Sequence, residues 1–217
     1  MKLAKIHRRE EPIWHVQAAI LIAIFVQVFL PQEFVVGPHY ALAIFEGLLL
    51  IAISLPSGRK HHPSRAVLRR LFSLLLLVLI TVTNIASLLL VSNSLLHGAV
   101  SDGHILIYSA LIIYATNVIV FGLLYWELDG RSTEGAPDGV RDFLFPQQSA
   151  NSAETKQPGW QPTFFDYLYV SVTNATAFSP TDAMPLTYRA KLLMTVQAFT
   201  SLITIALVAA RAVNILR

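Results

Sequence analysis

Five stretches of this chain are apolar for about the length that spans a lipid bilayer, and they leave little freedom in what it can fold into. A membrane-crossing helix takes about 20 mostly apolar residues. Residues 13–30, 40–55, 71–91, 105–126 and 190–213 reach or approach that length. The first stops at Pro31 and the second at Pro56, while the third carries Leu74, Leu75, Leu76 and Leu77 in a row. The fourth closes on Tyr125 and Trp126, an aromatic pair suited to a membrane–water boundary. The second is short and holds an acid, Glu46. Only 13% of the 217 residues are charged and 54% are hydrophobic, whereas soluble domains run at about 25% charged. That composition excludes an ordinary soluble enzyme, a disordered chain and a nucleic-acid binder. With no cysteine, disulfides, thiolate nucleophiles and cysteine metal sites are excluded too. No small-residue cleavage site closes the first stretch, which reads as a retained span rather than a signal peptide. The expectation is an all-α integral membrane protein of about five transmembrane helices plus one re-entrant helix and loop. Its parts are a four-helix region over 1–126, a polar loop over 127–162 and a final module over 163–217.

Orientation follows from where Lys and Arg fall. The N-terminus holds Lys2, Lys5, Arg8 and Arg9, and the loop before the third stretch holds Arg59, Lys60, Arg65, Arg69 and Arg70. Residues 31–39 and 92–104 hold none. The N-terminus and the 56–70 loop are therefore expected on the cytoplasmic side of a cell membrane, and after four crossings so is 127–162. The five basic residues of the 56–70 loop can also meet anionic lipid headgroups, at about 1 kcal/mol per charge.

Residues 163–187 differ from everything before them. They begin amphipathic and aromatic from Phe164 to Val170, continue through Ser171 to Thr176, and break at Ala177, Phe178, Ser179 and Pro180. A half-helix followed by irregular chain is the pattern of a re-entrant segment, which needs cover from protein or a watery cavity. Re-entry puts the C-terminus outside. A full crossing would put it inside and require Asp166 and Asn174 to be buried in protein. Re-entry fits the polarity and Pro180 better.

The order of elements and residues over 164–214 resembles the pore module of tetrameric potassium-type channels, whose filter region reads T-x-x-T-V-G-Y-G-D-x-x-P. Here Thr173, Thr176, Asp182 and Pro185 stand in that order, with an aromatic helix before them and a long apolar helix after. The resemblance covers about a quarter of the chain and implies a tetramer with a central pore. Both filter glycines are missing, and Thr176 to Asp182 is one residue longer than the family spacing. A carbonyl-lined filter needs backbone that Phe178, Ser179 and Pro180 cannot readily supply. The resemblance therefore implies a wider, weakly selective path for monovalent cations, or none, at Thr173, Thr176, Ala177, Phe178, Ser179, Pro180, Thr181 and Asp182. The inward-side loop expected from the charges is inverted relative to that family and resembles the arrangement of ionotropic glutamate receptors. The whole chain also resembles a bacterial multi-pass membrane family without an assigned function.

Other polar residues have a structural reading beside the functional one. Gln197, Thr200, Thr204 and Arg211 share one face of the last helix; they either line a pore or bond within the helix while Arg211 reaches the membrane surface. Asn84, Ser87, Tyr114 and Asn117 suit hydrogen bonds between helices. Glu46 is a candidate proton or cation site, as intramembrane acids are by default, or sits near a boundary. Asp166 suits the first turn of a helix. His61, His62, His97 and His104 show no diagnostic metal spacing, and no cofactor motif is present. Neither a G-x-S-x-G elbow nor an H-E-x-x-H helix occurs, so an enzyme is not expected. Four readings stand: a channel-like tetramer first, a secondary transporter using Glu46 second, an intramembrane enzyme third, for which only Asp166 and Asp182 are near and both sit at the ends of one segment, and a non-conducting structural or accessory membrane protein.

Overall fold

The computed structural model describes residues 14–54, 63–97, 103–132, 141–149, 160–177 and 182–215. Apolar runs of this length satisfy their backbone groups internally only as helices, and six form: α1 (Trp14–Val28), α2 (His39–Ser54), α3 (Pro63–His97), α4 (Gly103–Ser132), α5 (Phe164–Ala177) and α6 (Tyr188–Ile215). A short antiparallel pairing of β1 (Phe143–Leu144) with β2 (Met184–Pro185) is the single sheet among the described residues. The protein is all-α and of membrane type. Among the described residues three stretches are long and apolar enough to cross a bilayer: Arg70–His97, Gly103–Asp129 and Tyr188–Arg211. α1 and α2 are shorter apolar helices. At ~1.5 Å per residue, α1 spans about 22 Å, less than the ~30 Å hydrocarbon core.

α3 begins at Pro63, so residues 63–70, expected as part of a loop, are helical. Proline is preorganised for the first helical turn and lacks the N–H that would go unpaired there. Arg70 is half-buried on this helix. Arg59 and Lys60 lie outside the described residues, as do the side chains of Arg65 and Arg69.

The main core joins α1 (Val16, Ala19, Ile20, Ala23), α2 (Leu49, Leu50), α3 (Leu76, Leu77, Ile80), α4 (Val120 to Tyr125) and α5 (Phe164, Tyr167, Val170). Phe143 and Phe145 belong to it too. The stretch 127–162, expected as a polar loop, is built into the fold in part. α4 runs on to Ser132, Glu127, Asp129 and Asp142 are buried, and residues 143–148 fold back onto the helices. The reason is local: Phe143 and Phe145 are apolar anchors in an otherwise polar stretch. Their rings meet Tyr125, Tyr167 and Trp160 at centroid distances of 5.1 to 6.2 Å.

Chain direction is fixed by cross-helix contacts. Along α5, Tyr167, Leu168 and Ser171 meet Asp129, Gly122 and Val118 of α4 in turn. Along α6, Gln197 and Ser201 meet Tyr125 and Asn117, and Leu207 shares a small apolar cleft with Leu106. α5 and α6 therefore both run antiparallel to α4. Both start beside its C-terminal end, and β2 brings the chain back to that end between them.

Candidate functional site

The site is the module formed by α5, α6 and the C-terminal half of α4. α5 starts with a first-turn acid tied back to the residue before the helix. Thr163 donates its backbone N–H (2.7 Å) and its hydroxyl (2.8 Å) to Asp166 Oδ2, which also sets a negative charge at the positive end of the helix. Asp166 thus has the first-turn role expected of it. At ~1.5 Å per residue, 14 residues of α5 reach about 21 Å, which is short of a full crossing.

Its two faces differ. Tyr167, Val170, Ser171, Asn174 and Ala175 are buried against α4 and α6. Phe165, Tyr169, Val172 and Thr176 are exposed on the other side. Thr173 is half-exposed, and its hydroxyl bonds back to Tyr169 O at 2.9 Å, as that of Thr176 does to Val172 O at 2.8 Å. Ala177, expected in the filter-like loop, is the last residue of α5, because the helix runs one residue past the expected break. Phe178, Ser179, Pro180 and Thr181 lie outside the described residues. Asp182 is exposed, two residues before β2 and so on the side where α5 begins.

Gln197 is the hub of the buried face and is fully buried. Its Oε1 accepts from the Tyr125 hydroxyl at 2.6 Å and from Asn174 Nδ2 at 2.8 Å. Its Nε2 donates to Ser171 Oγ at 2.6 Å and Ser171 O at 3.0 Å. The Ser171 hydroxyl passes the bond on to Val118 O at 2.6 Å, and Asn174 also donates to Met194 O at 3.0 Å. One side-chain amide thus ties three helices together.

This corrects the expected pore-lining stripe. Gln197, Thr200 and Thr204 are buried inside the chain itself. Thr200 and Thr204 bond back to Val196 O and Thr200 O at 2.9 and 2.7 Å. The physical reason is the supply of partners: α4 and α5 carry polar groups at this depth, and unpaired ones would be costly in an apolar interior. From Phe199 to Ile205 the exposed residues of α6 are apolar instead: Phe199, Leu202, Ile203 and Ile205. Tyr125 is likewise a buried hydrogen-bond donor and not a boundary residue.

A second knot holds the end where α5 and α6 begin. Asp129 Oδ1 accepts from the backbone N–H groups of Asp142 and Phe143, and its Oδ2 accepts from the Tyr167 hydroxyl at 2.6 Å. Asp142 accepts from the Thr187 hydroxyl and pairs with Arg189 at 3.5 Å. Leu186 N–H donates to Asp142 O at 2.8 Å. Thr187 Oγ1 accepts from Ala190 N–H at 3.2 Å and so caps α6. Neither Asp129 nor Asp142 announces itself in the sequence, since both sit where composition reads as solvated loop.

The remaining candidates are dispersed. Asn84 donates to Ile113 O at 3.1 Å and Asn117 to Ser201 Oγ at 2.9 Å, as helix-to-helix bonds. Glu46 lies mid-helix in α2, away from this module, and is fully buried. His97 bonds with Asn93 O at 3.0 Å within α3; His61 and His62 lie outside the described residues. Among the described residues no group of three or more His, Asp or Glu is placed to hold a metal. No family model, curated protein or solved structure matches the chain.

Proposed function

We propose that this chain is the subunit of a channel-like membrane protein in which α5, α6 and the segment joining them form the pore element. The observation that carries the reading is the direction of the chain. α5 and α6 are consecutive and both run antiparallel to α4, with β2 back at the starting end between them. A helix that goes in and a chain that comes out on the same side make a re-entrant segment. The free face of α5 then needs cover, which further copies around an axis supply. In such an assembly Thr173 and Thr176 turn toward the axis from the deep end of α5. Asp182 stands at the mouth, where its charge raises the local cation concentration.

The apolar free face of α6 separates two versions of this reading. A path continuing past Phe199, Leu202 and Ile203 is a hydrophobic constriction that conducts only when wetted. A gated cation path and a sealed, non-conducting assembly share the architecture and differ at that point. Native mass spectrometry from mild detergent tests the assembly, and a fourfold mass is expected; a stable monomer would sink the proposal. Monovalent-cation flux from liposomes tests conduction, and Asp182→Asn is expected to lower it without changing the subunit count.

A further inference from the structure

We propose that Glu46 is a proton-binding site inside the helix bundle, holding its proton on the buried face of α2. The site shares no residue with the α5–α6 module, so either proposal can fail alone.

Glu46 is fully buried, and neither carboxyl oxygen has a hydrogen-bond partner. It lies on one face of α2 with Ala43, Leu49 and Leu50, which stand at i−3, i+3 and i+4 from it, the spacings that align a helix stripe. That stripe belongs to the core formed with Val16, Ala19 and Ile20 of α1 and Leu76, Leu77 and Ile80 of α3. Among the described residues of these helices no counter-charge bonds to it. The titratable and charged side chains described there are His15 on α1, Tyr40 on α2, and Arg70 and His97 on α3, and none hydrogen-bonds to Glu46. An isolated carboxylate is far too costly in such surroundings, whereas the neutral acid is tolerable. A metal cation would need several oxygen ligands, and the described residues offer no acid or histidine cluster. The proton is the ligand that one carboxyl group can bind by itself. An acid with no structural partner has no packing reason to stand where leucine would fit.

The chemistry gives a direct readout. A lipid-soluble carbodiimide takes the carboxylic proton on one nitrogen while the carboxyl oxygen adds to its central carbon. Migration of the acyl group from that oxygen to the neighbouring nitrogen then gives a stable N-acylurea. The sum is an addition, with no leaving group and no oxidant or reductant.

The experiment treats the full-length protein in proteoliposomes with dicyclohexylcarbodiimide across a pH series and maps the adducts by peptide mass spectrometry. Glu46 is expected to carry the reagent, with the adduct falling about tenfold per pH unit once the proton begins to leave. A water-soluble carbodiimide with an added amine is expected to modify exposed Glu33 and Asp182 and to spare Glu46. Glu46→Gln, nearly isosteric and neutral, is expected to lose the adduct while staying folded and monodisperse. If Glu46 stays unlabelled by the lipid-soluble reagent in folded protein, the proposal is overturned. It is overturned equally if the water-soluble reagent labels Glu46 as readily as Glu33. Both outcomes are read on the unsubstituted protein, so they stand even if the glutamine variant does not fold.

Discussion

At the scale of single residues, Gln197 concentrates more of the interior's hydrogen bonding than any apolar neighbour could replace. Gln197→Leu removes one amide, leaves the Tyr125 hydroxyl without its acceptor, and takes a bond each from Asn174 and Ser171, which keep Met194 O and Val118 O. Each unsatisfied buried group costs about 1–3 kcal/mol. The expected loss is about 3 kcal/mol, read as a fall in the unfolding midpoint in detergent. Thr200→Val is the matching control. Its hydroxyl bonds only to the turn before it, and such back-bonding adds little to a helix, so a change below about 1 kcal/mol is expected. A result in which Gln197→Leu alters ion flux but leaves stability untouched would return that side chain to a pore wall. The spacing of Gln197, Thr200 and Thr204 told that they share a face. What that face meets depends on residues about 70 to 80 positions earlier in α4, and periodicity carries no information about that.

Among elements, the contact of α4 with α5 is close at Gly122. A Cβ there would stand 3.1 Å from Leu168 Cα and 3.2 Å from its Cδ1, closer than backbone can accept without shifting. Gly122→Leu is expected to push α5 off α4, at a cost of about 1–3 kcal/mol for overpacking. Because the chain has no cysteine, one placed at Ala175, now buried, reports the shift cleanly through faster thiol labelling. Labelling that stays slow would show that α5 does not rest on Gly122. At the near end, Asp129→Ala strands two backbone N–H groups and the Tyr167 hydroxyl, so a loss of about 3 kcal/mol is expected in the same unfolding measurement. The helices themselves were legible. The apolar stretches at 40–55, 105–126 and 190–213 begin within two residues of the starts of α2, α4 and α6, because length and hydropathy alone decide them. The knot was not legible: Asp142, Phe143 and Thr187 are joined by a pairing of two residues per strand, too short to leave an alternating pattern.

For the whole molecule, the two ends of the described chain lie at opposite ends of the bundle. His15 of α1 meets Phe165 at the start of α5, with ring centroids 5.5 Å apart. Arg211 lines a cleft with Leu95 and Leu106 at the far end of α3 and the near end of α4. Single cysteines at Trp14 and Asn214 are therefore expected to react with an impermeant thiol reagent from opposite sides of a sealed vesicle. Reaction from one side would mean that α5 crosses instead of returning. The direction of α5 bears on how the chain is made as well as on how it works. A 14-residue helix carrying Asp166, Ser171 and Asn174 is too short and too polar to leave the insertion machinery into lipid unaided. Its buried polar groups find their partner, Gln197, only on a helix synthesised later. On the proposed re-entrant course, biogenesis is expected to hold α5 at the membrane surface until α6 emerges, and to release the two as a pair. A nascent chain stopped before residue 188 would leave α5 facing water, open to a protease that the finished protein resists.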